Sequence, residues 1–483
     1  MEVNVEPIVT NYFEPETIFW SIFAFMWVMY VWETYLSHRQ IQVYKNTTEV
    51  PGPLKDVLDS ETLEKARVYA LDKESFGFWH DLYGQFESSV ILVIGAIPYL
   101  WHVAGQVMSH FDYGSEYEIT QSLVFLLLAS IFSIITGMPW TVYRTFVVEQ
   151  KHGFNNQTPG FFVKDQIKKF IVTQLIAMPI TAAMLYIIKM GGQYFFIYTW
   201  LFTLIVSLVL ITVYADYIAP LFDKYVPLPE GELRSEIEAL AKSIEFPLYK
   251  LYVVEGSKRS SHSNAYFYGF YKNKRIVLFD TLLEDYTPAD EKKEEETKET
   301  ETKEDVEDET KEETEEASGE TKEETKEEKK KKGCNNDEVL AVLAHELGHW
   351  KLNHNLKNII IGQVNLFLCF FLFALLIEKK VLYEAFGFYD SQPVLLGLVI
   401  IFQFVFSPYN ELLSFCMTVL TRRFEFQADA FAKSLHKADK LRSALVKLHK
   451  DNLGFPVADW LYSTVHYSHP PLLERLAALG KTE

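Results

Sequence analysis

The chain has 483 residues, with 46 Lys+Arg against 65 Asp+Glu for a net charge of −19, and 49% of it is hydrophobic. The charge is concentrated: 21 acidic residues and 11 lysines fall between Asp290 and Lys332, where Val306 and Ala317 are the only apolar side chains. The remainder is too apolar for an ordinary soluble enzyme or a disordered chain, and the acidic balance excludes a nucleic-acid binder, which needs Lys/Arg stripes against phosphate.

In chain order, the N-terminus carries Glu2 and Glu6 and has neither a basic n-region nor a small-residue cleavage site, so it is not expected to be a removable signal peptide. Mainly apolar stretches of the length needed to cross a hydrocarbon core occur near 17–36, 88–107, 121–143, 170–190, 194–216, 358–378 and 393–415. About seven spans are therefore expected. Several contain helix-breaking or polar residues, namely Pro139, Pro179, Gln363, Asn365 and the group Ser407, Pro408, Asn410, Glu411. Such residues persist at membrane depth when they sit near span ends, are buried in protein, or line water, and the last case suggests an aqueous interior.

Loop charge sets the orientation. The 108–120 loop has no Lys or Arg, whereas 144–169 has Arg144, Lys151, Lys164, Lys168 and Lys169, which predicts a cytosolic location for the second loop. Alternation then makes the N-terminus lumenal and puts 37–87, 217–357 and the C-terminal tail on the cytosolic side. Only Lys379 and Lys380 count mildly against this. The sequons at Asn46 and Asn156 fall in loops read as cytosolic and are expected to be bare. Cys334, Cys369 and Cys416 lack metal-type or disulfide-type spacing, as expected of a reducing compartment.

The chain thus divides into 1–216, holding five spans with cytosolic loops 37–87 and 144–169; 217–357, a first extramembrane part; 358–415, two more spans; and 416–483, a second extramembrane part. Within 217–288 LRSEIEALAKSIEF has helical periodicity, and YKLYVVEG, NAYFYGF and KRIVLFDT read as strands. The acidic insert 289–335, with its repeated TKEET, cannot bury a core and is expected to be a disordered, solvated insertion. A scaffold using this tract to hold a basic partner is a rival reading.

Residues 337–352 read DEVLAVLAHELGHWKL, on a helix expected to begin near Asn336 or Asp337. His345 and His349 are four residues apart, on one helix face one turn apart, so two ring nitrogens can meet at one tetrahedral Zn²⁺. Glu346, next to His345, is placed to take a proton from water at such a metal. A catalytic zinc needs a third protein ligand and an open position. Glu425 lies 76 residues after His349, in RRFEFQADAFA, with Asp429 one turn further on. One of these carboxylates can bind metal while the other holds a ligand histidine by its second nitrogen, or both can answer Arg422, Arg423 and Lys433 at a surface. In HYSHPPLLERL (466–476), His469 precedes two prolines and Arg475 follows on a short helix. Such a pair can steady an oxyanion or simply cap a surface turn.

Taken with SSHSNAYFYGF at 260–270 and VEQKHGFNNQT at 148–158, these motifs resemble the type 1 CAAX prenyl protease family, the integral-membrane zinc endopeptidases that process prelamin A and a-factor. The resemblance covers essentially the whole chain outside 288–335. It implies a multi-pass α-helical membrane protein whose seven spans form a barrel around a water-filled chamber, with a zincin-like α+β metalloprotease domain. It implies one Zn²⁺ held by His345, His349 and Glu425, with Glu346 as general base and acid. His469 and Arg475 would lie around the oxyanion, Asp429 would orient a ligand, and Asn264, Ala265 and Tyr266 would form the edge strand that pairs with extended substrate. The implied partners are farnesylated C-terminal peptides or proteins and membrane lipid, with removal of the C-terminal tripeptide and, as an option, a second upstream cleavage of a prelamin-like or a-factor-like substrate. The implied location is the endoplasmic reticulum and inner nuclear membranes, with the active-site domain facing cytosol or nucleoplasm. The rivals are a catalytically silent seven-helix transporter, channel or receptor, and a quality-control protease that clears stuck membrane substrates.

Overall fold

The computed structural model describes residues 14–114, 116–269, 274–284, 286 and 332–480. The insert expected to be disordered at 289–335 lies outside the described residues as far as 331, as do residues 1–13, but its end is ordered: Cys334 is buried, its N–H bonded to the Leu282 carbonyl at 2.7 Å, and Asn335 caps the helix that follows. The first half is helical: α1 (Pro15–Asn46), α2 (Ser60–Val93), α3 (Ala96–Ser109), α4 (Glu118–Tyr143), α5 (Pro159–Met190) and α6 (Phe195–Val213). A small sheet with one helix follows, comprising β1 (Tyr225–Pro227), α7 (Glu232–Ser243), β2 (Leu248–Val254), β3 (Ala265–Tyr268) and β4 (Lys274–Phe279). The last part is helical again, with α8 (Asn336–Lys351), α9 (His354–Leu376), α10 (Lys380–Ala385), α11 (Val394–Leu398), α12 (Ser407–Ser434), α13 (Ala438–Asp451), α14 (Trp460–His466) and α15 (Leu472–Leu479).

Five helices among the described residues are long and apolar enough to cross a membrane: α1, α4 with its π-helical continuation to Glu149, α5, α6 and α9. Two bent pairs, α2 with α3 at 67° and Val394–Val405 with α12 at 58°, raise the number to seven if each is one span, as expected. Val28, Leu175, Ile205 and Ile360 are each more than half exposed, which water penalises and lipid tails accept. The first bend sits at Gly95, whose φ of +66° is a left-handed conformation that side-chain-bearing residues adopt at a cost. The span expected at 88–107 is therefore the bent end of a longer element. Its helix starts at Ser60, where Asp59 accepts a hydrogen bond from the Thr62 N–H at 2.7 Å, and its first half is too charged to show in hydropathy. Some polar groups within the spans find partners: Trp200 Nε1 donates to the Gln363 backbone carbonyl at 3.1 Å, the Tyr409 hydroxyl donates to Asn365 Oδ1, and Asn410 Nδ2 donates to the Phe402 carbonyl at 3.3 Å, whereas the Gln363 side-chain oxygen is buried without a hydrogen bond.

The extramembrane sheet has the order β1-β2-β4-β3, with β2 and β4 parallel and both outer strands antiparallel to their neighbours. All three expected strands are present. The short β1 was missed because three residues ending in Pro227 carry no period-two pattern. Ile237 of α7, Val253, Ile276 and Leu278 of the sheet, and Val339, Leu343 and Leu347 of α8 form one core. Full burial of each such side chain contributes roughly 1.5–3 kcal/mol. Because α8 packs against this core on one side and against α12 and α13 on others, it is apolar nearly all round, which fixes its axis and rotation.

Candidate metal centre

Helix α8 starts where the sequence predicts. Asn335 accepts from the Glu338 N–H at 3.1 Å and the Glu338 carboxylate accepts from the Asn335 N–H at 3.0 Å, a reciprocal cap worth about 1 kcal/mol. It packs closely on α12 at Gly348, where an added Cβ would lie 3.2 Å from the Ala428 Cα and 3.1 Å from the Phe431 ring. That approach brings His345 and His349 against Glu425.

The three side chains converge. His345 Nε2 and His349 Nε2 are 3.3 Å apart, His349 Nε2 is 3.2 Å from Glu425 Oε1, and His345 Nε2 is 3.4 Å from Glu425 Oε2. Ligands about 2.0–2.1 Å from a tetrahedral zinc are separated by roughly 3.3 Å, so these separations match the edges of such a site. Glu425 is 2% exposed, and its Oε2 makes no hydrogen bond of good geometry, with His469 Nδ1 2.8 Å away and Arg475 Nη1 at 3.8 Å. A buried carboxylate that meets two converging imidazole nitrogens, with no Lys or Arg nitrogen nearer than 3.8 Å among the described residues, leaves room for a cation at their centre, so the donor set fits zinc. Among the described residues it is the only such group of three.

Each histidine is held at its other nitrogen. His345 Nδ1 donates to Asp429 Oδ1 at 2.8 Å, and Arg475 grips Asp429 with Nε at 2.9 Å and Nη2 at 2.6 Å. Asp429 is thus placed to orient a ligand from one turn beyond Glu425, as expected of one of the two carboxylates. On the other side His349 Nδ1 is 3.0 Å from Nδ1 of His354, whose Nε2 is 2.9 Å from Gln427 Oε1. The amide oxygen can only accept, so His354 carries its proton on Nε2 and accepts at Nδ1. His349 is then protonated on Nδ1, and its Nε2 lone pair faces Glu425 and His345. His354 is 1% exposed and stacks on Phe424 at 4.1 Å. The sequence reading missed His354 and Gln427. His354 follows the helix break at Asn353, whose φ is +57°, so helical spacing from His349 does not reach it.

Burial would lower the His345 pKa, but the bonds to Asp429 and Glu425 outweigh it and raise it to about 9. A metal must displace that proton, so binding releases it. Burial raises the Glu346 carboxyl above the usual glutamate range, against the pull of His345 and His349. A carboxyl so placed is a better proton acceptor than an exposed one.

The two residues expected around the oxyanion both approach Glu425 Oε2 but differ in exposure and in their other partners. His469 has its imidazole 69% exposed, with Nδ1 2.8 Å from Glu425 Oε2, and faces the open side of the cluster. Arg475 is buried and committed to Asp429, with only Nη1 turned toward Glu425 at 3.8 Å. Asn264, Ala265 and Tyr266 lead into and begin β3, which among the described residues has a neighbour on one side only, leaving its other edge open there.

A profile described as peptidase family M48 matches residues 227–483, and one described as the CAAX prenyl protease N-terminal region, with five membrane helices, matches 40–224. The chain belongs to family M48. It is 65% identical to the CAAX prenyl protease 1 homolog of Mus musculus, over 96% of this chain and 95% of that one. It is 33% identical to CAAX prenyl protease 1 of Saccharomyces cerevisiae, over 95% and 94% of the two chains. The crystal structure of S. mikatae Ste24p superposes with a TM-score of 0.82 at 34% identity, covering 97% of this chain and 99% of that one. This M48 chain is therefore a multi-pass membrane metalloprotease, and the membrane barrel with a zincin-like domain agrees with that neighbour.

Proposed function

We propose that this M48 protein is a zinc-dependent endopeptidase that removes the C-terminal tripeptide from farnesylated CAAX proteins. The observation that carries the chemistry is the convergence of His345, His349 and Glu425, each histidine fixed by its own partner, inside a chain built for the bilayer. That arrangement speaks against a silent transporter or receptor, which has no use for two oriented imidazoles converging on a buried carboxylate. The names of the relatives support the substrate class. An isoprenoid chain, whose burial is worth about 0.8 kcal/mol per CH₂, favours an enzyme at the membrane.

In this reading His345, His349 and Glu425 would hold one zinc ion. Bound there, it supplies Lewis acidity that polarises a peptide carbonyl and acidifies water. Glu346 takes the proton from the attacking water on its carboxylate and later delivers it to the leaving amine nitrogen. His469, exposed on the open side, donates toward the oxygen of the scissile carbonyl as charge develops there. Arg475 holds Asp429, which holds His345, and so acts as a positioning residue. Substrate lies extended along β3 at Asn264, Ala265 and Tyr266, bonded mainly through its backbone, so side-chain selectivity is loose.

The Lys/Arg asymmetry of the loops supports a lumenal N-terminus and a cytosolic or nucleoplasmic active site in the endoplasmic reticulum and inner nuclear membranes. The division at 217, 357 and 415 is proposed as read, although α12 runs without a break from the seventh span to Glu425 and Asp429. The deciding experiment maps cleavage sites by mass spectrometry on matched farnesylated and unprenylated peptides. Cleavage just after the farnesylated cysteine, at least about 10²-fold slower in Glu346→Gln with zinc still bound, is expected. Cleavage elsewhere, or metal loss in that variant, contradicts the reading.

A further inference from the structure

A cavity of about 640 Å³ lies between α2, the π-helical turn Arg144–Glu149 and the segment leading into β3. Its walls carry Lys73, Arg144, Glu149, Arg259 and His262 among aromatic side chains. Most of these charges are answered. The Tyr69 hydroxyl lies 3.0–3.1 Å from Glu149, and His262 Nε2 is 3.6 Å from it. Arg259 is engaged by Asp165 at 2.7–2.8 Å and Asp223 at 2.6 Å. Two cations are left over. Lys73 sits over the Tyr69 ring at 4.5 Å, and neither it nor Arg144 makes an ion pair within 4 Å among the described residues. Glu149 and Glu74 attract Lys73, and Arg144 repels it, only from longer range.

Resting on the peptidase reading above, we propose that this cavity receives the free C-terminal carboxylate of the substrate, with Lys73 and Arg144 as its cationic contacts. The direction follows from pairing geometry. β3 is the edge strand, and an added peptide pairs antiparallel to it by preference, the parallel arrangement being slightly weaker per residue. An antiparallel peptide runs its C-terminal residues toward the N-terminal end of β3, past Asn264 and Ser263 to His262 and Ser260, which line this cavity. The leaving group is three residues long and spans roughly 10 Å when extended. That is the length of chain from Ala265 back to His262. His262 is itself fixed, stacked on Phe154 at 4.1 Å with Nδ1 3.3 Å from Asn452 Oδ1. The end of the groove is thus a rigid wall with two cations that make no close ion pair, where the only obligatory charge of the last three residues of the uncleaved substrate arrives. A carboxylate there makes charge-assisted bonds, whereas an amide leaves both cations unpaired. The site explains how loose side-chain selectivity along β3 coexists with selection for a chain end.

The test compares a farnesylated peptide with a free C-terminus against the same peptide as its C-terminal amide, using the full-length chain in detergent without added phospholipid. Wild type should prefer the acid by at least about tenfold in kcat/KM, chiefly through KM. Lys73→Met and Arg144→Gln should each bring acid and amide closer, the former to within about threefold, and Lys73→Arg should keep the preference. If wild type cuts both peptides equally, or the variants slow both without changing the ratio, the subsite is wrong while the peptidase reading stands. If wild type cuts neither, the peptidase reading fails and the subsite falls with it. A preference that appears only on adding vesicles containing anionic lipid assigns the cations to a lipid phosphate and overturns the proposal.

Discussion

Two enclosed imidazoles in the extramembrane part behave in opposite ways. His345 on α8 and His449 on α13 both lose solvent on folding, yet His345 is raised to about 9 while burial lowers His449 to about 4. The difference lies in the partners. His345 has Asp429, itself gripped by Arg475, whereas Nε2 of His449 is buried with no hydrogen bond and its one backbone bond, at Phe455, does not offset burial. Burial alone makes a histidine an inert neutral filler, and a buried anion at the second nitrogen makes it basic and fixes its direction. His349 is steadied instead by the neutral pair His354 and Gln427. The centre thus combines a charged hold on one ligand with a neutral hold on the other.

The comparison can be broken most severely at the ligand itself. Glu425→Ala leaves two histidines and no third donor, so zinc affinity, followed by competition with a chelating dye, should fall by more than the about 10–100-fold usual for a group that only orients a ligand. Asp429→Ala removes the charged hold, leaves Arg475 buried and unpaired, and should cost close to 100-fold. Should Asp429→Ala prove the worse binder, the two carboxylates have exchanged roles. His354→Ala removes the neutral hold and should cost only about tenfold, with His354→Asn, which keeps an acceptor for His349 Nδ1, recovering most of it. An effect equal to that of Asp429→Ala would erase the distinction between the two supports.

The smallest effect concerns His449. Above about pH 6.5 its ring is neutral in both folded and unfolded chains, so it does not alter stability there. As pH falls from about 6.5 toward about 4, the unfolded chain takes up the proton and the folded one does not, so stability declines, by about 3 kcal/mol at most. His449→Gln should flatten the fall in melting temperature over that window, and an unchanged slope would remove His449 from the acid response.

Much of this was legible in the sequence because it rests on local periodicity. The i, i+4 spacing of His345 with His349 and of Glu425 with Asp429 needs only one helical turn each, and the apolar runs needed only length. What escaped depends on how distant elements meet. His354 reaches His349 across a helix break, Gln427 reaches His354 from another helix, and Arg475 turns to Asp429 because α15 packs there. The charged first half of α2 was hidden because hydropathy sees only its lipid-facing end, and yet it carries Lys73.

Anomalous diffraction at the zinc edge, from crystals of the full-length chain grown with zinc, tests the ligand assignment most directly. A single strong peak within about 2.3 Å of His345 Nε2, His349 Nε2 and a Glu425 oxygen is the predicted result. A peak nearer Asp429, or none between α8 and α12, would contradict it.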